Sequence, residues 1–205
     1  MCQILQQVHE LLATAGHMGQ LSFLDGRALR VGPCSKDREA ARGPVPGGMA
    51  KGYKLHAWAS QDGRIPLWSV MPLNVSEKTV AGELLCLVPT DGMILADQNY
   101  DAGWLYERVV QQGGDLLTPL PTNAGKGHRR QSPARLVAIE AWKGIAGYLY
   151  RDRLGIERIF GQTASFGGGL HTLPPWVRTL TRVRRWVGGK LIIYHARWRL
   201  RKHAS

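Results

Sequence analysis

Acid is what this chain runs out of. There are 27 Lys and Arg against 15 Asp and Glu, and from Arg158 to Ser205 ten basic residues stand without a single acidic one. Residues 1–157 are by contrast nearly neutral, with 17 bases and 15 acids. Cysteine is also scarce. Cys2, Cys34 and Cys86 are odd in number and have no Cys-x-x-Cys spacing, which excludes a disulfide framework or a Cys-based zinc site and points to a reducing cytoplasm. Long apolar runs are missing, so no membrane helix is expected, and the N-terminus lacks the charged start and apolar stretch of a signal peptide. None of the His residues falls in HxxxH or HExxH spacing, and GxSxG, GxxxxGK[ST] and helix-opening GxGxxG are absent. Zincin, nucleophile-elbow, P-loop and dinucleotide chemistry therefore drop out, and no small-molecule cofactor is expected. FGGGLH, with no strand before it and no Lys after it, reads as a joint rather than a phosphate cradle.

What is present is a basic C-terminal segment with Trp176, Trp186 and Trp198 interleaved. Lys and Arg displace counterions from phosphates and indoles stack, so this is the composition of a polyanion-binding surface. The same three Trp also suit the core of a helix. Within VRTLTRVRRWVGGK the spacing puts Arg178, Arg182 and Arg185 on one helical face, and Gly188–Gly189 is expected to break or bend the helix. GKGHRR, carrying Arg129 and Arg130, reads as a basic loop.

Earlier in the chain QILQQVHELLA reads as a helix, and SFLDGRALRV as an extended segment interrupted at Asp25–Gly26. The Gly-, Pro- and charge-rich stretch between Gly32 and Gly52 reads as a loop. KGYKLHAWAS and IPLWSVMPL across QDGR predict a hairpin. Ser76 then caps a helix, Met93–Ala96 is a buried strand stopped by Asp97, and Asp101 caps a helix over 102–112. DLLTPL adds a strand, and Ser132–Pro133 opens a helix through ARLVAIEAWKGIAG. This order predicts an α/β domain with a mixed sheet.

Three acids stand apart. Asp25 lies in a strand-like run, Asp97 ends a buried strand, and Glu157 shares a helix face with Tyr150 and Arg153 in YRDRLGIERIF. At the carboxyl ends of strands such groups face the ligand crevice, and converging carboxylates attract a hard cation. Each also has a plain structural account: Asp25 as a turn former, Asp97 as a local cap, Glu157 as an i, i+4 partner of Arg153.

Together, SFLDG, KGYKLHAWASQDGRIPL, LADQNYDA and YRDRLGIERIFG resemble the catalytic domain of bacterial insertion-sequence transposases with a DDE active site. The late-helix motif of that family is Tyr, two residues, Arg, three residues, Glu, six residues, Lys, and here Tyr150, Arg153 and Glu157 match it. The resemblance implies a ribonuclease H-like fold over 21–169, preceded by a short helical segment over 1–20 and followed by a basic helical extension over 170–205. It implies Asp25, Asp97 and Glu157 as catalytic and metal-holding residues for two Mg2+ or Mn2+ ions. The chemistry implied is cleavage and strand transfer of double-stranded DNA at transposon ends and target, by a homodimer. Tyr150, Arg153, Arg129, Arg130, Arg178, Arg182 and Arg185 are the DNA contacts this picture uses. The sequence departs from the motif at Ala164, where Lys is the rule, and only 24 residues precede Asp25, which points to a truncated, degenerate copy as the alternative.

Overall fold

β1 (Leu21–Arg30) is the hub of the sheet in the computed structural model, which describes residues 3–13, 18–119, 132–165, 169–170 and 173–203. Around it run α1 (Gln3–Ala13), β2 (Ala41–Val45), β3 (Gly48–Ser60), β4 (Leu67–Pro72), α2 (Glu77–Leu85), β5 (Met93–Ala96), α3 (Gly103–Gln111) and β6 (Asp115–Leu117). The C-terminal part holds α4 (Pro133–Ala141), α5 (Gly147–Leu149), α6 (Leu154–Ser165) and α7 (Leu180–His203). The strand order is β2-β3-β1-β5-β6, with β4 also paired to β3. β1 is antiparallel to β3 and parallel to β5, and β5 is parallel to β6. This mixed sheet with helices on both faces is a ribonuclease H-like fold.

Strand alternation decides what each face buries. Phe23 and Leu29 of β1, with Leu55, Leu95 and Leu117, pack under Ile156, Ile159 and Phe160 of α6 and Val183, Val187 and Leu191 of α7. Leu24, Trp58, Ile94 and Leu116 point the other way, against Val80 and Leu84 of α2 and Leu105 and Val109 of α3. Asp25 is on the α6 face by the same period. α6 comes this close because residue 155 is Gly: a Cβ there would lie 3.0 Å from the Phe23 ring.

Several local expectations change. β1 is not interrupted, because Gly26 pairs with His56 and the ladder continues to Arg30 opposite Gly52. The stretch after Gly32 is not all loop: Ala41–Val45 pairs with Gly48–Gly52, and Gly47 and Gly48 take φ of 88° and 133° in the turn. The Gly and Pro content that reads as irregular is hairpin chemistry. Asp101 does not cap α3. Ala102 is the N-cap, and Asp101 accepts from Arg135 Nε at 2.6 Å and Nη2 at 2.7 Å. The helix opened by Ser132, whose hydroxyl accepts from the Arg135 amide, does not run unbroken, since Gly144 is non-helical. α7 continues through Gly188–Gly189, where burial of Val183, Val187, Leu191 and Tyr194 offsets the roughly 1 kcal/mol that each Gly costs a helix. It begins only at Leu180, after Thr179 at φ 68°, so Arg178 precedes the helix instead of sharing its face.

Candidate active site

Asp97 follows the last residue of β5, and Ala96 pairs with Leu24, so Asp25 and Asp97 fall side by side on adjacent parallel strands. The segment Tyr150–Arg153 is a 3-10 turn, and α6 starts at Leu154. This turn carries Arg153 across to β1. Its Nη2 donates to Asp25 Oδ2 at 3.0 Å and its Nη1 to Glu157 Oε1 at 3.4 Å. One guanidinium thus joins two acids 132 positions apart, and both ends belong to the set singled out from the sequence. Asp97 turns back on its own loop, accepting from the Asn99 amide at 2.8 Å and from Asn99 Nδ2 at 3.1 Å.

Electrostatics ties these groups together. Burial pushes the Asp25 carboxyl up to about 6, against the pull of Arg153 and of the Gly26 amide at 2.7 Å, and Asp97 and Glu77 repel it further. Asp97 is also raised, by burial first and then by Glu77, while the Asn99 amide, Arg153 and Lys54 draw it back. Tyr150 packs against Trp142 at 5.1 Å between ring centroids, and burial lifts its hydroxyl to about 12, so it stays neutral and able to donate. Glu157 is 59% exposed and is the most open of the three acids.

The donor set is carboxylate oxygen, which suits a hard divalent cation, and the repulsion that Asp97 exerts on Asp25 is what such an ion relieves. Among the described residues no group of three His, Cys, Asp or Glu side chains is arranged to hold a metal ion as it stands. In this arrangement Arg153 donates to both Asp25 and Glu157, and Asn99 donates to Asp97.

Arg178, Arg182 and Arg185 are exposed, and Arg129 and Arg130 lie outside the described residues. Other bases of α7 have structural work. Arg184 donates to Val70 O, and Arg199 donates to the Leu11 and Leu12 carbonyls at the end of α1. The Trp residues divide likewise. Trp176 is 65% exposed, whereas Trp198 Nε1 donates to Asp62 O.

Two residues escaped the sequence reading, Glu77 and Lys54. The first reads as an ordinary first-turn acid after Ser76. The second carries a signal that was there to use: it is the one Lys, Arg, Asp or Glu in the otherwise buried run Tyr53–Ser60, and a charge in a buried strand requires a partner.

The ribonuclease H-like sheet thus carries one acid on β1, one just past the end of β5 and one on α6. The chain belongs to the transposase DDE domain family, whose model matches residues 19–198. No curated protein matches it. DNA is the partner of this family, and its members use divalent metals. Among the described residues no helix is long and apolar enough to cross a membrane.

Proposed function

We propose that the chain is an active transposase that cleaves DNA at insertion-sequence ends and joins the freed strand to a target, with Asp25, Asp97 and Glu157 as its catalytic carboxylates. The observation that carries the reading is Arg153 bridging Asp25 and Glu157, with Asp97 near enough to repel Asp25. These three acids would hold two Mg2+ or Mn2+ ions, which when bound stabilise the attacking and leaving oxygens of an in-line displacement at phosphorus. The protein's own part is positioning. A phosphate offers Arg153 a bidentate acceptor, so Arg153 exchanges its carboxylates for DNA, and Asp25 and Glu157 are freed together. Tyr150 donates from its hydroxyl beside the same strand. Water attacks the phosphodiester first, and the 3′ hydroxyl so released attacks target DNA.

The 21–169 segment is the catalytic body in this reading, 170–205 the basic grip and 1–20 a helical lead, acting as a dimer in the bacterial cytoplasm. Arg182 and Arg185 are exposed bases of the grip. Replacing both with Ala should lower the log–log salt slope of DNA binding by roughly 2, about one unit for each phosphate left without its arginine. Fluorescence anisotropy on a labelled duplex between about 50 and 200 mM salt reads this out. An unchanged slope removes α7 from the footprint.

A second reading, a DNA-binding remnant without catalysis, is favoured by Ala164, which is 8% exposed and packs toward the core where the motif has Lys. Titration with Mn2+ separates the two: saturable binding lost in Asp97→Asn supports the enzyme, and no binding supports the remnant.

A further inference from the structure

Lys54 is 11% exposed and its Nζ donates to Glu77 Oε1 at 2.5 Å. The pair presses on the backbone beside Asp25: a Cβ on Gly26 would meet Lys54 Cδ at 2.8 Å and Glu77 Oε1 at 3.0 Å. It also lines a groove of about 460 Å3 shared with Asn74, Ser76, Lys78 and Asn99. Asn99 is the residue that holds both carboxylate oxygens of Asp97, so the groove starts where the acids end. Its wall includes the start of α2, where Ser76 makes no side-chain cap bond and the helix dipole favours an anion. Glu77 Oε2 is buried and has no partner among the described residues.

A buried ion pair is a weak way to stabilise a core, since two apolar side chains do as well. Lysine held by a half-satisfied glutamate at the mouth of a groove is better explained by exchange with a ligand. The motif's own Lys is missing at Ala164, and Lys54 offers a cation from the α2 face of the sheet, opposite the α6 face from which Arg153 arrives.

We propose that this groove is a subsite for the DNA phosphodiester backbone, in which Lys54 leaves Glu77 to bind the phosphate next to the one being cut. This rests on the reading of the chain as a DNA-cutting transposase. The double variant Lys54→Met/Glu77→Gln removes one charge of each sign, so net charge is kept and no buried ion is stranded. Measured by anisotropy of the full chain on a duplex in EDTA, its salt slope should fall by about 1 and its affinity at about 0.1 M salt by roughly five- to tenfold. Glu77→Gln alone releases Lys54 and should tighten binding several-fold, and adding Lys54→Met should reverse that gain; a gain that persists in the double variant overturns the role of Lys54. Lys54→Arg should retain the wild-type slope. A folded double variant with wild-type slope and affinity overturns the groove, and leaves the transposase reading standing if Arg182→Ala/Arg185→Ala still flattens the slope. Wild-type protein that binds no duplex overturns both. Should the double variant fail to fold, Glu77→Gln and Lys54→Arg decide: tightened binding in the first with a wild-type slope in the second supports the subsite, and unchanged or weakened binding in the first overturns it.

Discussion

Asp97→Asn is expected to abolish Mg2+- and Mn2+-dependent nicking of DNA, a loss of about a thousandfold or more, equivalent to roughly 4 kcal/mol of transition-state stabilisation. The chosen substitution matters. Asp97 accepts from the Asn99 amide at 2.8 Å and so caps the short 3-10 turn that leads into Tyr100. Asparagine caps as well as aspartate does, whereas alanine costs about 1 kcal/mol at such a position. Asp97→Asn and Asp97→Ala should therefore be equally dead while differing in melting temperature. Salt-sensitive DNA binding should survive in both, tightened if anything, because a carboxylate that faces phosphate has gone. Conversion of supercoiled plasmid to nicked circle gives the first result and anisotropy the second. Nicking that persists in purified Asp97→Asn removes this residue from the chemistry.

The parts of this molecule that could be read beforehand are those where a local pattern and its energetic cause coincide. Met93–Ala96 is short, apolar and stopped by an acid, and it is a central strand for that reason. The spacing of Arg153 and Glu157 on a helical turn predicts their contact, and the 3.4 Å separation is what an i, i+4 pair gives. Asp25 meeting Arg153 across 128 residues could not come from periodicity, and only the family resemblance pointed there. Composition misled where turn chemistry and disorder use the same residues. Pro44, Pro46, Gly47 and Gly48 read as loop, yet they belong to a hairpin that pairs β2 with the start of the long β3. Gly188–Gly189 looks like a break, and α7 carries it because the packing of Val187 and Leu191 outweighs propensity. Glu77 was missed because it is an ordinary first-turn acid in its own segment, whereas the lone charge of Lys54 in an apolar strand asks for a partner that only a contact between β3 and α2 supplies.

Asp25→Asn is expected to stabilise the metal-free protein at neutral pH by about 2–3 kcal/mol while destroying its activity. The Asp25 carboxyl is 14% exposed and is raised to about 6, chiefly by burial, although Arg153 stands at 3.0 Å. Its folded value thus lies above the roughly 3.9 of an unfolded aspartate, so between about pH 4 and pH 6 the native state binds more protons than the unfolded one. Stability from this group is complete below about pH 4 and is lost as pH rises through about 6. Asparagine mimics the protonated form at every pH, so the variant should lack this loss and melt roughly 5–10 °C above wild type at about pH 7.5, while matching it near pH 4. Denaturation in EDTA across that range tests the sign directly, and a variant less stable than wild type at the upper end would show that the Arg153 pair outweighs desolvation. The same strain supplies a test of metal holding that needs no turnover. If Asp25 and Asp97 repel because an ion belongs with them, Mn2+ should raise the melting temperature of the wild type above neutral pH and leave Asp25→Asn nearly unmoved. Equal shifts in both proteins would place the binding elsewhere, and the repulsion between these two acids would then be a cost without a purpose in DNA cutting.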